Sequence, residues 1–202
     1  MRLYYSTPSP YARKVRAFVI ETGLEDRVEL HHTNPWDSQP ELLQGNPLSK
    51  VPTLIADDGE GLFDSPLICE YLDSLHDGAR LIPADGPARW QALRIQCLAD
   101  GILDAAVGRI VESRRPENLR SADWDARQKA AVTRSLDMLE RDAAALDGPL
   151  DIAQLAAGCA LGYLDFRFPQ EPWRDARPRL AAWYAGFCER PSMRETWPAE
   201  MR

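Results

Sequence analysis

The stretch that decides the fold covers residues 46–54 and reads NPLSKVPTL. After a DDGEG turn it is followed by FDSPLICEYL at residues 63–72. The first part leads into a short apolar strand at 53–56. The second opens a helix with Ser65 as its N-cap, since a serine followed by proline suits a helix N-terminus. These two parts predict the end of a small α/β unit.

Upstream of this stretch, the pattern predicts a strand, a helix and a second strand. RLYY at residues 2–5 and VELHH at 28–32 read as strands. Between them, four apolar side chains share one helical stripe: Tyr11, Val15, Phe18 and Val19. A short strand at 62–63 and a helix that stops at Gly78 complete a first domain, predicted at residues 1–77.

The second half of the chain predicts only helices. Glycine and proline mark a linker at residues 77–87, and no strand pattern follows it. The periodicity predicts helices at 88–113, 121–146, 151–166 and 179–189. We therefore expect an all-helical second domain over residues 86–202.

The third of these helices has the clearest start. Asp151 and Gln154 are spaced as a capping box, and Leu150 and Leu155 occupy the positions of a hydrophobic staple. The side chains that follow are apolar nearly all round and many are small, which predicts a central, buried helix.

Charge and composition exclude several classes of function. The chain has 202 residues, a formal net charge of -7 and no basic run, so we expect no nucleic-acid partner. No apolar run approaches the ~20 residues that cross a bilayer, and no signal-like core follows the N-terminus. We therefore expect no membrane association and a cytoplasmic location. The scattered cysteines and histidines form no metal-ligand pattern, so we also expect no metal.

Together, the motifs resemble those of the cytosolic glutathione transferases. The stretches at 46–54 and 63–72 are similar to their glutathione site, and SPYARKV at 9–15 resembles the catalytic-serine loop of the bacterial members. ADGI at 99–102 and GYLDFR at 162–167 resemble a bacterial subgroup. The resemblance implies the glutathione transferase fold, a thioredoxin-like α/β N-terminal domain followed by an all-α C-terminal domain.

The resemblance also implies an activity. Glutathione would be the co-substrate, and its activated thiol would attack a small electrophile in a homodimeric enzyme. Glutathione-dependent peroxidase, reductase or isomerase chemistry needs the same thiolate and is an alternative. A non-catalytic binding protein with the same fold is a third hypothesis, against which the intact motifs count.

Five residues are assigned to the tripeptide by this resemblance. Val51 would pair with the cysteinyl unit through main-chain hydrogen bonds, which requires a cis bond to Pro52. Asp64 and Ser65 would receive the γ-glutamyl end at a positive helix terminus, and Lys50 the glycyl carboxylate. The residues alone leave a trans proline, a simple helix cap and a solvated lysine open.

Ser9 is the predicted catalytic residue. It precedes Pro10 at the N-terminus of the first helix, where the helix dipole favours a nearby anion. Its hydroxyl would donate to the glutathione sulfur and stabilise the thiolate. Thr7 and Tyr5 are competing candidates for this role, and a plain N-cap is the structural alternative.

The helical domain would contribute to both substrates. Asp100 and Asp104 share a helix face, and Asp100 matches a position that reaches glutathione across a dimer in some relatives; a solvated surface is the alternative. Arg109 or Arg114 would form the charged rim of the acceptor pocket, under a mobile loop at 113–125. Apolar candidates for the lining are Tyr11, Trp36, Val107, Ile110 and Val111.

Overall fold

The structure, a computed structural model, describes residues 1–201 and divides into two compact units. The first comprises Met1–Ala84 and the segment that begins at Pro191, and the second comprises Asp85–Arg190. The predicted sequence of an α/β unit followed by a helical unit is confirmed. The predicted ranges, 1–77 and 86–202, differ from these units mainly at the C-terminal end.

A four-stranded mixed sheet forms the centre of the first unit, in the order β2-β1-β3-β4. β1 is parallel to β2 and antiparallel to β3, and β4 is antiparallel to β3. Gly61 lets the last strand approach the C-terminal end of a neighbouring helix, because a Cβ there would overlap the Gly45 carbonyl oxygen. The bounds are β1 (Arg2–Tyr5), β2 (Glu29–His32), β3 (Thr53–Ile55) and β4 (Gly61–Leu62).

The helices of the first unit begin near the predicted positions, but the helix that opens at Ser65 ends at Asp73, five residues before its predicted stop at Gly78. The stripe on the first helix is buried at Val15, Phe18 and Val19, while Tyr11 is half-buried. Gly23, just beyond this helix, has a φ of 67°, which glycine adopts without the steric cost of a side chain. The bounds are α1 (Pro10–Glu21), α2 (Pro40–Gly45) and α3 (Ser65–Asp73).

Four helices build the second unit: α4 (Gly86–Ser113), α5 (Ala122–Arg141), α6 (Ile152–Arg167) and α7 (Pro178–Phe187). The predicted second helix of this unit is shorter than expected, because α5 ends at Arg141 and a separate 3₁₀ turn covers Ala143–Leu146. α6 packs against α4, and its side chains are buried from Ile152 to Leu164. It is therefore the central helix that its composition predicts.

The capping box at the start of α6 is confirmed. The Asp151 carboxylate accepts hydrogen bonds from the backbone N–H groups of Ala153 at 2.9 Å and Gln154 at 3.2 Å. In return, Gln154 Oε1 accepts from the Asp151 N–H at 2.9 Å. The Gln154 amide also donates to the Leu146 carbonyl oxygen at 2.7 Å, so it ties the preceding turn to the helix.

A short helix, α8 (Pro191–Glu195), returns the chain to the first unit and packs on α1. Arg13 of α1 is 2% exposed, and its guanidinium donates to the Met193 carbonyl oxygen at 3.0 Å. The same group donates to Thr196 Oγ1 at 3.5 Å and lies 5.0 Å from the Trp197 ring centroid. These contacts explain why the C-terminal segment departs from the predicted helical domain.

The described residues contain neither a membrane-spanning helix nor a metal-binding cluster. No helix within residues 1–201 is long and apolar enough to cross a membrane. Over the same described range, no group of three or more His, Cys, Asp or Glu side chains is placed to hold a metal ion.

Candidate functional site

Three loops leave the sheet of the first unit at one edge. Tyr4 of β1 pairs antiparallel with Thr53, so the chain after β1 and the chain before β3 share this edge. Leu54 pairs with Leu62, so the chain after β4 also leaves there. These loops carry the predicted catalytic and glutathione residues of this unit: Ser9, Lys50, Val51, Pro52, Asp64 and Ser65.

Ser9 is the N-cap of α1. Its Oγ accepts a hydrogen bond from the Ala12 N–H at 3.2 Å. The hydroxyl proton is directed to the Val51 carbonyl oxygen at 3.5 Å, the outer limit for a hydrogen bond, so a stronger acceptor can take it. No acidic residue lies in the first turn of α1, which leaves the helix end positive. Capping and donation to a thiolate are therefore compatible at this residue.

The turn before β3 has the geometry that the resemblance implies. The Val51–Pro52 bond is cis, so that prediction is confirmed and the trans alternative is wrong. The Val51 side chain is buried in a cluster with Tyr4 and Leu42. Within residues 1–201 the Val51 N–H has no hydrogen-bond acceptor. A main-chain donor is therefore available just before the first residue of β3, where an extended peptide can pair with it.

Ser65 does not cap α3, so the sequence prediction of its capping role is wrong. The N-cap is Asp64, whose side chain makes no capping hydrogen bond, and Ser65 is the first helical residue. Ser65 is 1% exposed, and in the described part of the chain its Oγ has no hydrogen-bond partner. A buried, unpaired hydroxyl costs about 1–3 kcal/mol unless a partner reaches it. The unpaired N–H groups of the same helix end favour an anion as that partner.

The two charged candidates of the first unit lie at the surface. Asp64 is exposed and follows a cis peptide bond from Phe63. Lys50 is exposed, and its ammonium forms no ion pair within the part of the chain that the structure describes. Both side chains are accessible to a ligand, and their contacts with glutathione stay predictions.

The competing candidates for thiol activation have different surroundings. The Tyr5 ring lies 4.7 Å from the Arg16 guanidinium and edge-on to His32 at 5.4 Å. Burial lowers the pKa of the Arg16 guanidinium below its ordinary value. Thr7 is half-buried in the loop before α1. Of the three candidates, Ser9 is the one at a helix N-terminus.

The acceptor candidates fall in both units. Within the first unit, Trp36 is 67% exposed. In the second unit, Val107 and Ile110 are half-buried and Val111 is 38% exposed, all on α4. Asp100 is half-buried on the same helix and Asp104 is exposed. Their roles in binding an acceptor or glutathione stay predictions.

Arg109 is not a rim residue, so that prediction is wrong. Arg109 is 7% exposed, and its guanidinium donates to both Glu171 carboxylate oxygens at 2.8 and 3.1 Å and to Asp125 at 2.9 Å. The hydrogen bond from Arg109 holds the pKa of Glu171 below its usual value. The Phe168 ring lies 4.4 Å from the guanidinium. Arg109 therefore forms ion pairs within the second unit. Arg114 is exposed and stays a candidate for the charged rim of the acceptor pocket.

The segment predicted as a mobile loop over the pocket has regular structure. A 3₁₀ turn covers Glu117–Leu119, and α5 begins within the segment at Ala122. The Glu112 carboxylate accepts from the Ser121 N–H at 2.7 Å and from Arg115 at 3.2 Å, which ties the two ends of the turn together.

The sequence did not single out two buried polar residues beside the turn that contains Val51 and Pro52. Asn46 is 1% exposed and Thr53 is fully buried, and they are joined by a hydrogen bond of 2.9 Å from Asn46 Nδ2 to Thr53 Oγ1. An Asn-Pro dipeptide marks a turn. That signal is present at residues 46–47, but only the structure shows that the Asn46 amide donates to Thr53.

Known proteins match the chain along nearly its full length. The glutathione S-transferase N-terminal domain matches residues 8–75, and the glutathione S-transferase C-terminal domain matches residues 122–186. The uncharacterized GST-like protein YibF of Escherichia coli strain K12 is 34% identical over 201 residues, 98% of either chain. The chain belongs to the glutathione S-transferase family.

Two solved structures that are similar to this glutathione S-transferase family member contain bound glutathione. A glutathione transferase family member from Pseudomonas fluorescens Pf-5, with bound glutathione, is 43% identical with a TM-score of 0.95, over 98% of this chain and 99% of that chain. A glutathione S-transferase from Methylobacillus flagellatus KT, also with glutathione bound, is 38% identical with a TM-score of 0.89, over 98% and 99%. The predicted thioredoxin-like and all-helical fold is confirmed.

Proposed function

We propose that this protein is a glutathione transferase that activates the thiol of glutathione for attack on a small electrophile. Glutathione is its co-substrate, and no metal takes part. The similar transferases with bound glutathione support glutathione as the ligand. The polar groups of the first unit support the activation of its thiol.

The observation that carries the proposal is the buried hydroxyl of Ser65, which has no partner in residues 1–201. Folding leaves this hydroxyl unsatisfied at the N-terminus of α3, where neither Ser65 nor Asp64 caps the helix. The γ-glutamyl carboxylate would accept from the Ser65 hydroxyl and from the first N–H groups of the helix. Asp64 would face the adjacent ammonium group.

The remaining proposed contacts would bring the glutathione sulfur beside Ser9. Val51 would bind the cysteinyl unit through its main chain, and Lys50 would pair with the glycyl carboxylate. Lowering a thiol pKa from ~8.5–9 to ~6.5 takes about 3 kcal/mol. A hydrogen bond from Ser9 to a charged sulfur contributes about 1.5–3 kcal/mol, and the end of α1 adds to it.

A substrate panel tests the proposal with the full chain. Immobilised glutathione should retain the protein and free glutathione should elute it, and turnover should be found with a model aryl halide. Peroxide and mixed-disulfide substrates run beside it decide between conjugation and the glutathione-dependent alternatives. If only the peroxide or the mixed disulfide is turned over, the assigned reaction would be peroxidase or reductase chemistry and not conjugation. No heat and no thermal protection at millimolar glutathione would overturn the proposal as a whole.

The proposal includes a cytoplasmic homodimer. In the cytoplasm glutathione keeps thiols reduced, and the four cysteines of this chain form no disulfide in the described residues. Asp100 of one subunit would then reach the γ-glutamyl ammonium in the other. Sedimentation at micromolar concentration should give roughly twice the chain mass of 22.7 kDa. A monomer would remove Asp100 from the site.

A further inference from the structure

The peptide group between Lys50 and Val51 is held from one side by two buried side chains. The Lys50 carbonyl oxygen accepts from Thr53 Oγ1 at 2.8 Å and from Asn46 Nδ2 at 3.3 Å. Both donors are almost completely buried, so this oxygen points into the unit and away from solvent. The direction of the carbonyl is therefore set by side chains that lie outside the predicted site.

The direction of the Val51 N–H follows from this. The carbonyl of Lys50 and the N–H of Val51 belong to one planar peptide group, and in a trans peptide they point in opposite directions. The cis bonds in the described chain are Val51–Pro52 and Phe63–Asp64, so the Lys50–Val51 bond is trans. An inward Lys50 carbonyl thus turns the Val51 N–H outward, where it has no acceptor within residues 1–201.

The orientation of the Asn46 amide is determined by its neighbours. Asn46 Oδ1 accepts from the Leu48 N–H at 3.0 Å, while Nδ2 donates to Lys50 and Thr53. A flipped amide would set its oxygen against the Lys50 carbonyl oxygen and its N–H₂ against the Leu48 N–H. The Asn46 amide therefore serves as an acceptor for Leu48 and as a donor to Lys50. An aspartate could not replace it, because an ionised carboxylate has no N–H to donate.

We propose that Asn46 and Thr53 are positioning residues for glutathione, which they serve by fixing the Lys50–Val51 peptide group. They touch no substrate atom and act through the Val51 N–H, which donates to the cysteinyl unit. This inference rests on the proposed function, since it concerns the same ligand. It makes glutathione affinity depend on two residues whose side chains face the core.

The matched pair Thr53→Val and Thr53→Ser tests this proposal. Thr53→Val keeps the shape and removes the hydroxyl, and should raise the KM and Kd for glutathione roughly 5- to 10-fold, the effect of about one hydrogen bond. The Val51 contact is equally strong in ground and transition states, so kcat and the pKa of the bound thiol should stay at wild-type values. Thr53→Ser restores the hydroxyl and should restore the affinity, and Asn46→Ala should act in the same direction as Thr53→Val.

Gln154→Ala is the matched control, because that amide is also buried and donates to a backbone carbonyl, that of Leu146 in the second unit. It should lower the melting temperature without changing glutathione affinity. Thr53→Val with wild-type KM, or Thr53→Ser as weak as Thr53→Val, would overturn the positioning role. If Asn46→Ala does not fold, the two Thr53 variants decide. Wild-type protein without glutathione binding would instead defeat the proposed function, so the two failures are distinguishable.

Discussion

Replacing Ser9 with alanine is expected to slow conjugation at neutral pH by roughly one to two orders of magnitude, since a hydrogen bond to a charged sulfur contributes about 1.5–3 kcal/mol. Glutathione affinity should stay nearly intact, because in the proposed site the peptide would be held by Val51, Asp64 and Ser65. The pKa of bound glutathione, read from thiolate absorbance, should rise towards its free value. The pH at which the rate reaches half its maximum should rise with it.

The control for this prediction separates capping from thiol activation. Ser9 caps α1, and losing a cap costs about 1 kcal/mol in alanine but only a few tenths in glycine. Ser9→Gly should therefore be more stable than Ser9→Ala and equally slow. The Ser9 assignment is wrong if Ser9→Ala keeps the wild-type rate and thiol pKa while Tyr5→Phe or Thr7→Ala loses both. If none of the three matters, activation rests on the helix end and backbone donors.

Replacing Ser65 with alanine should move stability and affinity in opposite directions. The hydroxyl is buried without a protein partner, so its removal should raise the free energy of unfolding of the ligand-free protein, by up to about 1 kcal/mol. The same change would remove the proposed hydrogen bond to the γ-glutamyl carboxylate and should weaken glutathione binding roughly 10- to 100-fold. Denaturant unfolding without ligand and calorimetric titration with glutathione measure the two effects.

Ser121→Ala is the matched control for Ser65→Ala. Ser121 is also found at a helix N-terminus, but its hydroxyl accepts from the Trp124 N–H at 3.2 Å and therefore caps α5. Its replacement should cost about 1 kcal/mol of stability and leave glutathione affinity unchanged. A Ser65→Ala protein that is less stable and binds glutathione normally would mean that this hydroxyl serves the fold.

Local patterns predicted the fold well where neighbours along the chain decide it. The capping box needs only Asp151 and Gln154, three residues apart, and both hydrogen bonds form as expected. The stripe on α1 and the strands of the first unit are equally local. The C-terminal segment was misassigned because the partners of Arg13 lie about 180 residues away, and no periodicity reports such a distance.

For the candidate site, the sequence indicated candidate residues but not the contacts that their side chains make. The cis Val51–Pro52 bond came from the resemblance, since proline propensity alone favours trans. Whether Ser65 caps its helix depends on where the helix begins, and a serine-proline pattern does not show that it begins at Ser65 itself, with Asp64 before it as the N-cap. Arg109 was taken for a rim cation because nothing near it in sequence shows that Glu171 reaches its guanidinium.

The packing of α8 on α1 has a consequence for the order in which parts of the protein fold during synthesis. Arg13 leaves the ribosome early, and Met193, whose carbonyl it binds, is added 180 residues later. At about 5–20 residues per second, this delay is roughly 10–40 s. During that time the α1 surface that α8 later covers is in contact with water. The helix that carries Ser9 therefore acquires its final packing only after the whole helical unit has been synthesised.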